Sequence, residues 1–225
     1  KTMRFFGYLL DKLFLRSSAA RADVILTVSK SSKDDILNNG IASSSNTYVV
    51  PNAPSKKQTN LSKLESNYIL FVGNIEPRKN LSRLIMAYDT LSKNLKEKNK
   101  LVIVGADSWG RYNIHSLIKS SESCDYIKFK SNVDDNSLTS LYAHAKFLVL
   151  PSLYEGFGLP IIEAMSYGIP VLTSDNSSMP EVAGDAGYYI NPLSIKSIAS
   201  GLEEMITNTT LRKKLAKNAI SNASR

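Results

Sequence analysis

Runs of apolar residues without polar interruption, YILFVG (68–73), KLVIVG (100–105), KFLVLP (146–151) and PVLTS (170–174), limit what this chain can fold into. A strand with one wet face alternates apolar and polar residues; an unbroken apolar strand has to be covered on both faces. The stretches between them read as helices: NLSRLIMAYDTLSKNLKEK (80–98), YNIHSLIKSSES (112–123), DDNSLTSLYAHA (134–145) and PIIEAMSYG (160–168). YIKFK (126–130) and GYYIN (187–191) read as further strands, and SIKSIASGLEEMITN (194–208) and TTLRKKLAKNAISN (209–222) as two closing helices. Strands and helices in alternation build a parallel sheet with helices on both faces, so the expected fold is a Rossmann-like, doubly wound α/β domain.

The beginning is organised separately. ADVILTVS (22–29) predicts a short strand, KSSKDDILNNG (30–40) a helix ending at Gly40, and NTYVVPNAP (46–54) another strand stopped by prolines. SKKQTNLSKLES (55–66) is a polar linker. These signals place a domain boundary near residue 45, giving segments 1–45 and 46–225. Before them, Phe5, Phe6, Leu9, Leu10, Leu13 and Phe14 recur at helical spacing between basic flanks, the pattern of an amphipathic helix that packs on a domain or lies on a membrane surface. The start without Met and the end on NAISNASR read as those of a fragment.

In a doubly wound sheet, ligands bind outside the carboxyl ends of the strands, so chemistry belongs in the strand-to-helix loops. The loop GNIEPRKN (73–80) brings Arg78 and Lys79 to the start of a helix, where the macrodipole disfavours cations unless an anion bridges them. A solvated basic turn is the plainer reading of the same residues. GADSWGR (105–111) has the glycines of a tight turn with Trp109 packed beside them. SLYEGFG (152–158) leads into a helix with Pro160 in its first turn, and Gly156 and Gly158 allow a close backbone approach. Glu155 would project from that loop and Glu163 would lie about one turn into the helix. Singly, they read as a solvated acid and a carboxylate favoured by a helix start. Together with the cations they suit a ligand that joins phosphate to hydroxyl groups, which is the chemistry of a nucleotide sugar.

Charge narrows the partners. The net charge of +8, from 28 Lys and Arg against 20 Asp and Glu, calls for an anionic partner. The basic residues are scattered without the interleaved aromatics that stack on bases, which argues against nucleic acid. A single cysteine, Cys124, excludes an internal disulfide framework and points to a reducing, cytoplasmic compartment.

At this point the sequence resembles a known family. EGFGLPIIE (155–163) is similar to the E-x7-E signature of the retaining glycosyltransferases of family 4, and VGNIEPRKNL (72–81) to their G-x-x-x-P-R-K-N segment. ADVILTVS, VVPNAP, FLVLPSLYEGFGLPIIEAMSYGIPV and SSMPEVAGDAG extend the likeness, in order, from residue 22 onward. The resemblance implies the C-terminal, donor-binding half of a GT-B fold, with residues 1–45 the end of an N-terminal acceptor domain. It implies that Arg78 and Lys79 neutralise the donor diphosphate, that Glu163 holds the ribose, and that Glu155 binds the transferred sugar. Gly73 and the backbone of Gly156, Phe157, Gly158 and Leu159 would lie against sugar and phosphate, and Val133, in SNV (131–133), near the base. Implied with these are a metal-independent retaining reaction with no cofactor beyond the GDP- or UDP-linked donor, GDP-mannose favoured, and a glycan or lipid-linked acceptor in surface polysaccharide synthesis. Such a chain would work in the cytoplasm or at the inner face of the cell membrane; taken alone, it would bind donor and turn over poorly. A noncatalytic basic binding module and a nucleotide-sugar epimerase of the same fold are the alternatives.

Overall fold

The apolar runs fold as expected of strands buried on both faces. The computed structural model describes residues 14–54, 67–106 and 113–223. The chain divides into two compact units, Lys1–Asn52 and Ala53–Arg225. The division falls later than the sequence boundary near 45 because NTYVV supplies a strand to the first unit.

In that unit, residues 14–21 are helical (α1), followed by β1 (Ile25–Thr27), α2 (Lys30–Asn38) and β2 (Thr47–Val49). β1 and β2 pair in parallel, Leu26 opposite Tyr48. The Ser29 hydroxyl caps α2 by accepting from the Ser32 amide at 3.0 Å, and Gly40, at φ 60°, takes the left-handed turn that ends it. Most of the predicted amphipathic stretch, Phe5 to Leu13, lies outside the described residues; Phe14 is exposed.

The second unit is built on a six-stranded sheet of order β5-β4-β3-β6-β7-β8, every pair parallel. Its elements are β3 (Tyr68–Val72), α3 (Leu81–Asp89), α4 (Lys93–Lys98), β4 (Lys100–Val104), α5 (Ile114–Lys119), β5 (Ile127–Lys130) and α6 (Asp135–Ala143). Then come β6 (Phe147–Leu150), α7 (Leu159–Ser166), β7 (Val171–Ser174), α8 (Met179–Ala183), β8 (Gly187–Ile190), α9 (Ile195–Thr207) and α10 (Thr209–Ala223). Ile69, Leu70, Phe71, Leu101, Ile103, Phe147 to Leu150, Val171 and Leu172 fill the sheet's interior and are buried. Helices cover them through Leu84 and Tyr88 of α3, Ile161 and Met165 of α7, and Leu202 and Met205 of α9. The edge strand β5 behaves differently: Lys128 and Lys130 face solvent, which discourages pairing with another chain.

Two local expectations change. The single helix read over 80–98 is two, α3 and α4, because the Thr90 hydroxyl back-bonds the Ala87 carbonyl at 2.7 Å and buried Leu91 turns into the core. Lys96 then reaches back to the Asp89 carbonyl at 3.1 Å and the Ser123 hydroxyl at 3.0 Å. Between β7 and β8, the segment left without a helix in the sequence reading folds as α8, whose five residues are too few for periodicity to reveal.

The strand order locates the switch point of the sheet. From β3 the chain steps outward to β4 and β5, then returns to the far side of β3 for β6, β7 and β8. Direction therefore reverses between β3 and β6, and ligands of doubly wound sheets lie outside the carboxyl ends of strands at such a switch. The loops following those two strands are 73–80 and 151–158, which carry the basic and acidic residues singled out above.

Candidate functional site

The two loops lock onto each other. The Leu153 amide donates to the Arg78 carbonyl at 2.7 Å, and the Asn80 side chain donates to the carbonyls of Pro151 at 3.0 Å and Pro192 at 2.7 Å. Asn80 holds φ 61°, a left-handed conformation that Asn tolerates better than most residues, and so turns the chain from a 3-10 turn, Pro77–Lys79, into α3.

This interlocking delivers Arg78 and Lys79 to Glu155. Lys79 Nζ lies 2.6 Å from Glu155 Oε1 and Arg78 Nη1 2.6 Å from Oε2, and the Ser152 hydroxyl donates to Oε1 at 2.7 Å. The Lys79 and Glu155 side chains are each 6% exposed and that of Arg78 is 43%. Lys79 runs beside Gly73, where a Cβ would stand 3.2 Å from its Cε, so the glycine leaves room for the lysine stem. Glu155 thus turns inward rather than projecting from its loop, because two cations and a hydroxyl satisfy its charge there. The anion that bridges Arg78 and Lys79 is this carboxylate.

Burial by itself would raise the Glu155 carboxyl, but Lys79, then Ser152 and Arg78, more than offset it and hold it below the usual carboxylate range. A carboxyl lowered in the folded state contributes stability that is present above its unfolded value, about 4.3, and is lost as pH falls through the folded value. In urea titrations across pH 7 to 3, the stability difference between wild type and Glu155→Gln is therefore expected to shrink below about pH 4. A constant difference would show that Glu155 is not paired as a carboxylate.

A third loop fixes the backbone of the acidic one. The Ser177 hydroxyl accepts from the Glu155 amide at 3.0 Å and donates to the Glu155 carbonyl at 2.5 Å, while Ser178 donates to the carbonyls of Glu155 and Phe157, both at 2.9 Å. Ser177 sits at φ 55°, and Asn176 Nδ2 adds a bond to the Leu153 carbonyl at 2.9 Å. Gly158, at φ 96°, caps α7 without a side chain. Helix starts leave amides without intrahelical partners, and Pro160, in the first turn, brings none. Leu159 is 44% exposed at that end.

Glu163 stands apart from the ion pairs. Its Oε2 accepts from the Tyr142 hydroxyl at 2.7 Å, and burial, then the Glu163 charge, pushes the Tyr142 phenol well up. Both residues line a pocket of about 140 Å³ between α6 and α7, whose wall includes Asp135, Tyr167 and Pro54. Val133 lies half-buried in the loop after β5, beside Asn132 at φ 52°. The GADSWGR turn beyond Ala106 falls outside the described residues. Among the described residues, no three His, Cys, Asp or Glu side chains gather as metal ligands, and no helix is long and apolar enough to cross a membrane.

Residues 52–222 match the family model described as Glycosyl transferases group 1. The chain belongs to this glycosyltransferase family. O-antigen chain mannosyltransferase B of Escherichia coli is 34% identical over 212 residues, covering 88% of this chain and 55% of that protein. O-antigen chain mannosyltransferase RfbU of Salmonella typhimurium is 31% identical over 194 residues, 86% of this chain and 54% of that protein. The glycosyltransferase chain therefore spans about half the length of these curated relatives. Among solved structures, Anabaena HepE in complex with UDP-glucose matches with a TM-score of 0.83 at 20% identity, over 95% of this chain and 62% of that one. WaaG, a glycosyltransferase involved in lipopolysaccharide biosynthesis, matches with 0.77 at 24%, over 88% and 58%. The fold is thus that of GT-B glycosyltransferases.

The sequence alone points to Arg78, Lys79, Glu155 and Glu163 but not to Glu76, Ser152, Ser177, Ser178 and Tyr142. Ser177 and Ser178 stood in SSMPEVAGDAG and Ser152 only three residues before Glu155, yet serines in a loop carry no periodicity that reports a partner.

Proposed function

We propose that this glycosyltransferase chain is the donor-binding part of a retaining, metal-independent enzyme that moves a hexose from a nucleotide sugar to a glycan or lipid-linked acceptor in surface polysaccharide synthesis. The observation that carries the reading is the pairing of Arg78 and Lys79 with Glu155 at the carboxyl ends of β3 and β6, the switch point of the sheet. A diphosphate entering there meets Arg78, the more exposed cation, first, and shares Lys79 with Glu155. The α7 start adds amide dipoles of the favourable sign.

In this reading the cations and the helix start stabilise the charge that grows on the leaving diphosphate, which is where a glycosyl transfer without metal needs help. Glu155, held by Lys79 and Ser152, orients the sugar, and Glu163 accepts from ribose hydroxyls at the edge of the Tyr142 pocket. Gly73, Gly156, Phe157, Gly158 and Leu159 line the diphosphate and sugar, and Val133 the base. The names of the O-antigen mannosyltransferase relatives support mannose as the hexose, and GDP as its carrier is the expectation that goes with mannose in the family resemblance. Residues 1–45 would belong to the acceptor side, so the 225-residue chain would bind donor and transfer slowly, from the cytoplasm or the inner membrane face.

Calorimetric titration with GDP, GDP-mannose, UDP and UDP-glucose tests the carrier. The guanine pair is expected to bind more tightly than the uracil pair; the reverse order would transfer the assignment to a UDP-sugar.

A further inference from the structure

Glu76 is the second carboxylate at the cation pair. It is 9% exposed, and its Oε1 forms an ion pair with Arg78 Nη2 at 2.6 Å. Nη1 of the same guanidinium turns the other way, to Glu155 Oε2 at 2.6 Å and the Tyr154 carbonyl at 3.1 Å. A strong arginine–carboxylate pair directs two parallel bonds to one acid. Arg78 instead stands between two acids, and the cluster of Glu76, Arg78, Lys79 and Glu155 carries no net charge.

We propose that Glu76 is a positioning residue that sets the affinity of the site for diphosphates: it holds Arg78 and keeps the cluster neutral so that the nucleoside diphosphate product is released. The inference rests on the donor-site reading. A free nucleoside diphosphate carries about one more negative charge than its sugar ester, because its terminal phosphate ionises a second time near neutral pH. A site with surplus positive charge would therefore hold product in preference to donor, whereas a neutral one narrows that preference. Loss of the Glu76 charge leaves a surplus of one and frees Nη2 for a phosphate oxygen, while Nη1 keeps its bonds to Glu155 and Tyr154.

The test uses the whole chain, with GDP, UDP and their sugar conjugates as probes. Glu76→Gln is expected to bind the nucleoside diphosphate about tenfold more tightly than wild type, with a smaller gain for the sugar conjugate and a steeper loss of affinity with salt. Glu76→Asp, which keeps the charge, should stay near wild type in the ratio of the two affinities. If Glu76→Gln does not fold, Glu76→Ser removes the same charge and carries the same expectation. Wild-type binding with no tightening in the charge-removing variant, or an equal change for diphosphate and conjugate, overturns the inference alone. Failure of the wild type to bind any of these nucleotides overturns the donor-site reading and the inference with it.

Discussion

Lys79→Ala is expected to lower the melting temperature by about 10 °C. The substitution leaves Glu155, whose side chain is 6% exposed, without the cation at 2.6 Å from its Oε1. Breaking a buried ion pair from one side costs about 3–5 kcal/mol, because the remaining charge stays desolvated, and each kcal/mol moves the midpoint of a chain this size by roughly 2–4 °C. Arg78 and Ser152 still touch the carboxylate, but Arg78 is half in solvent and already shared with Glu76. Lys79→Ala combined with Glu155→Gln should recover much of the loss, since a neutral amide tolerates burial better. Thermal unfolding of the two single variants and the double variant measures this directly. Additive losses would mean that the two residues do not act as a pair.

Gly105→Ala is expected to cost about 3 kcal/mol or more, at the upper end of the range for overpacking, and to weaken nucleotide binding at the same time. A Cβ at Gly105 would stand 2.1 Å from the Gly73 carbonyl oxygen and 3.1 Å from Ile75 Cδ1. The first neighbour is backbone, so a rotamer change cannot relieve it. The ends of β3 and β4 are laced there, Gly73 donating to the Val104 carbonyl at 3.0 Å and Ile75 to that of Ala106 at 3.2 Å. Relief has to move the loop that carries Arg78 and Lys79, which is why stability and binding fall together. Gly40→Ala supplies the contrast. At φ 60° with nothing within 4 Å of its Cβ, it costs about 1 kcal/mol for the left-handed backbone and should leave binding untouched. Denaturant melts and nucleotide titrations of the two variants distinguish a shifted loop from a general loss of stability.

How far the sequence alone reaches is seen best at these residues. The buried strands announce themselves because a strand covered on both faces has no reason to alternate, and Phe147 to Leu150 is wholly buried. Strand order is a different matter: it depends on right-handed crossovers and on where the chain doubles back, so the alternation of elements specifies a doubly wound parallel sheet without saying which strands are neighbours. The acids and cations of the site were visible as residue types in loops, and the family motifs supplied roles for them. Their mutual contact was not visible, since Lys79 and Glu155 are 76 positions apart and a surface loop acid reads as solvated until a partner is known. Glu76 passed unremarked for the same reason, as did the serine pair that grips the Glu155 backbone through a left-handed Ser177. The helix break at Thr90 and the short α8 were lost to local hydrogen bonds and to a length below which helical periodicity carries no signal.

In the donor-site reading the switch-point cluster receives a diphosphate. Titration of a nucleoside diphosphate into the wild-type chain and into the Arg78→Ala, Lys79→Ala double variant, at low and high salt, tests it most directly. Wild type is expected to bind with an affinity that weakens with salt, and binding is expected to be lost in the double variant when the latter is kept below its melting temperature. Equal affinity in the two proteins, or no binding by the wild type, would contradict it.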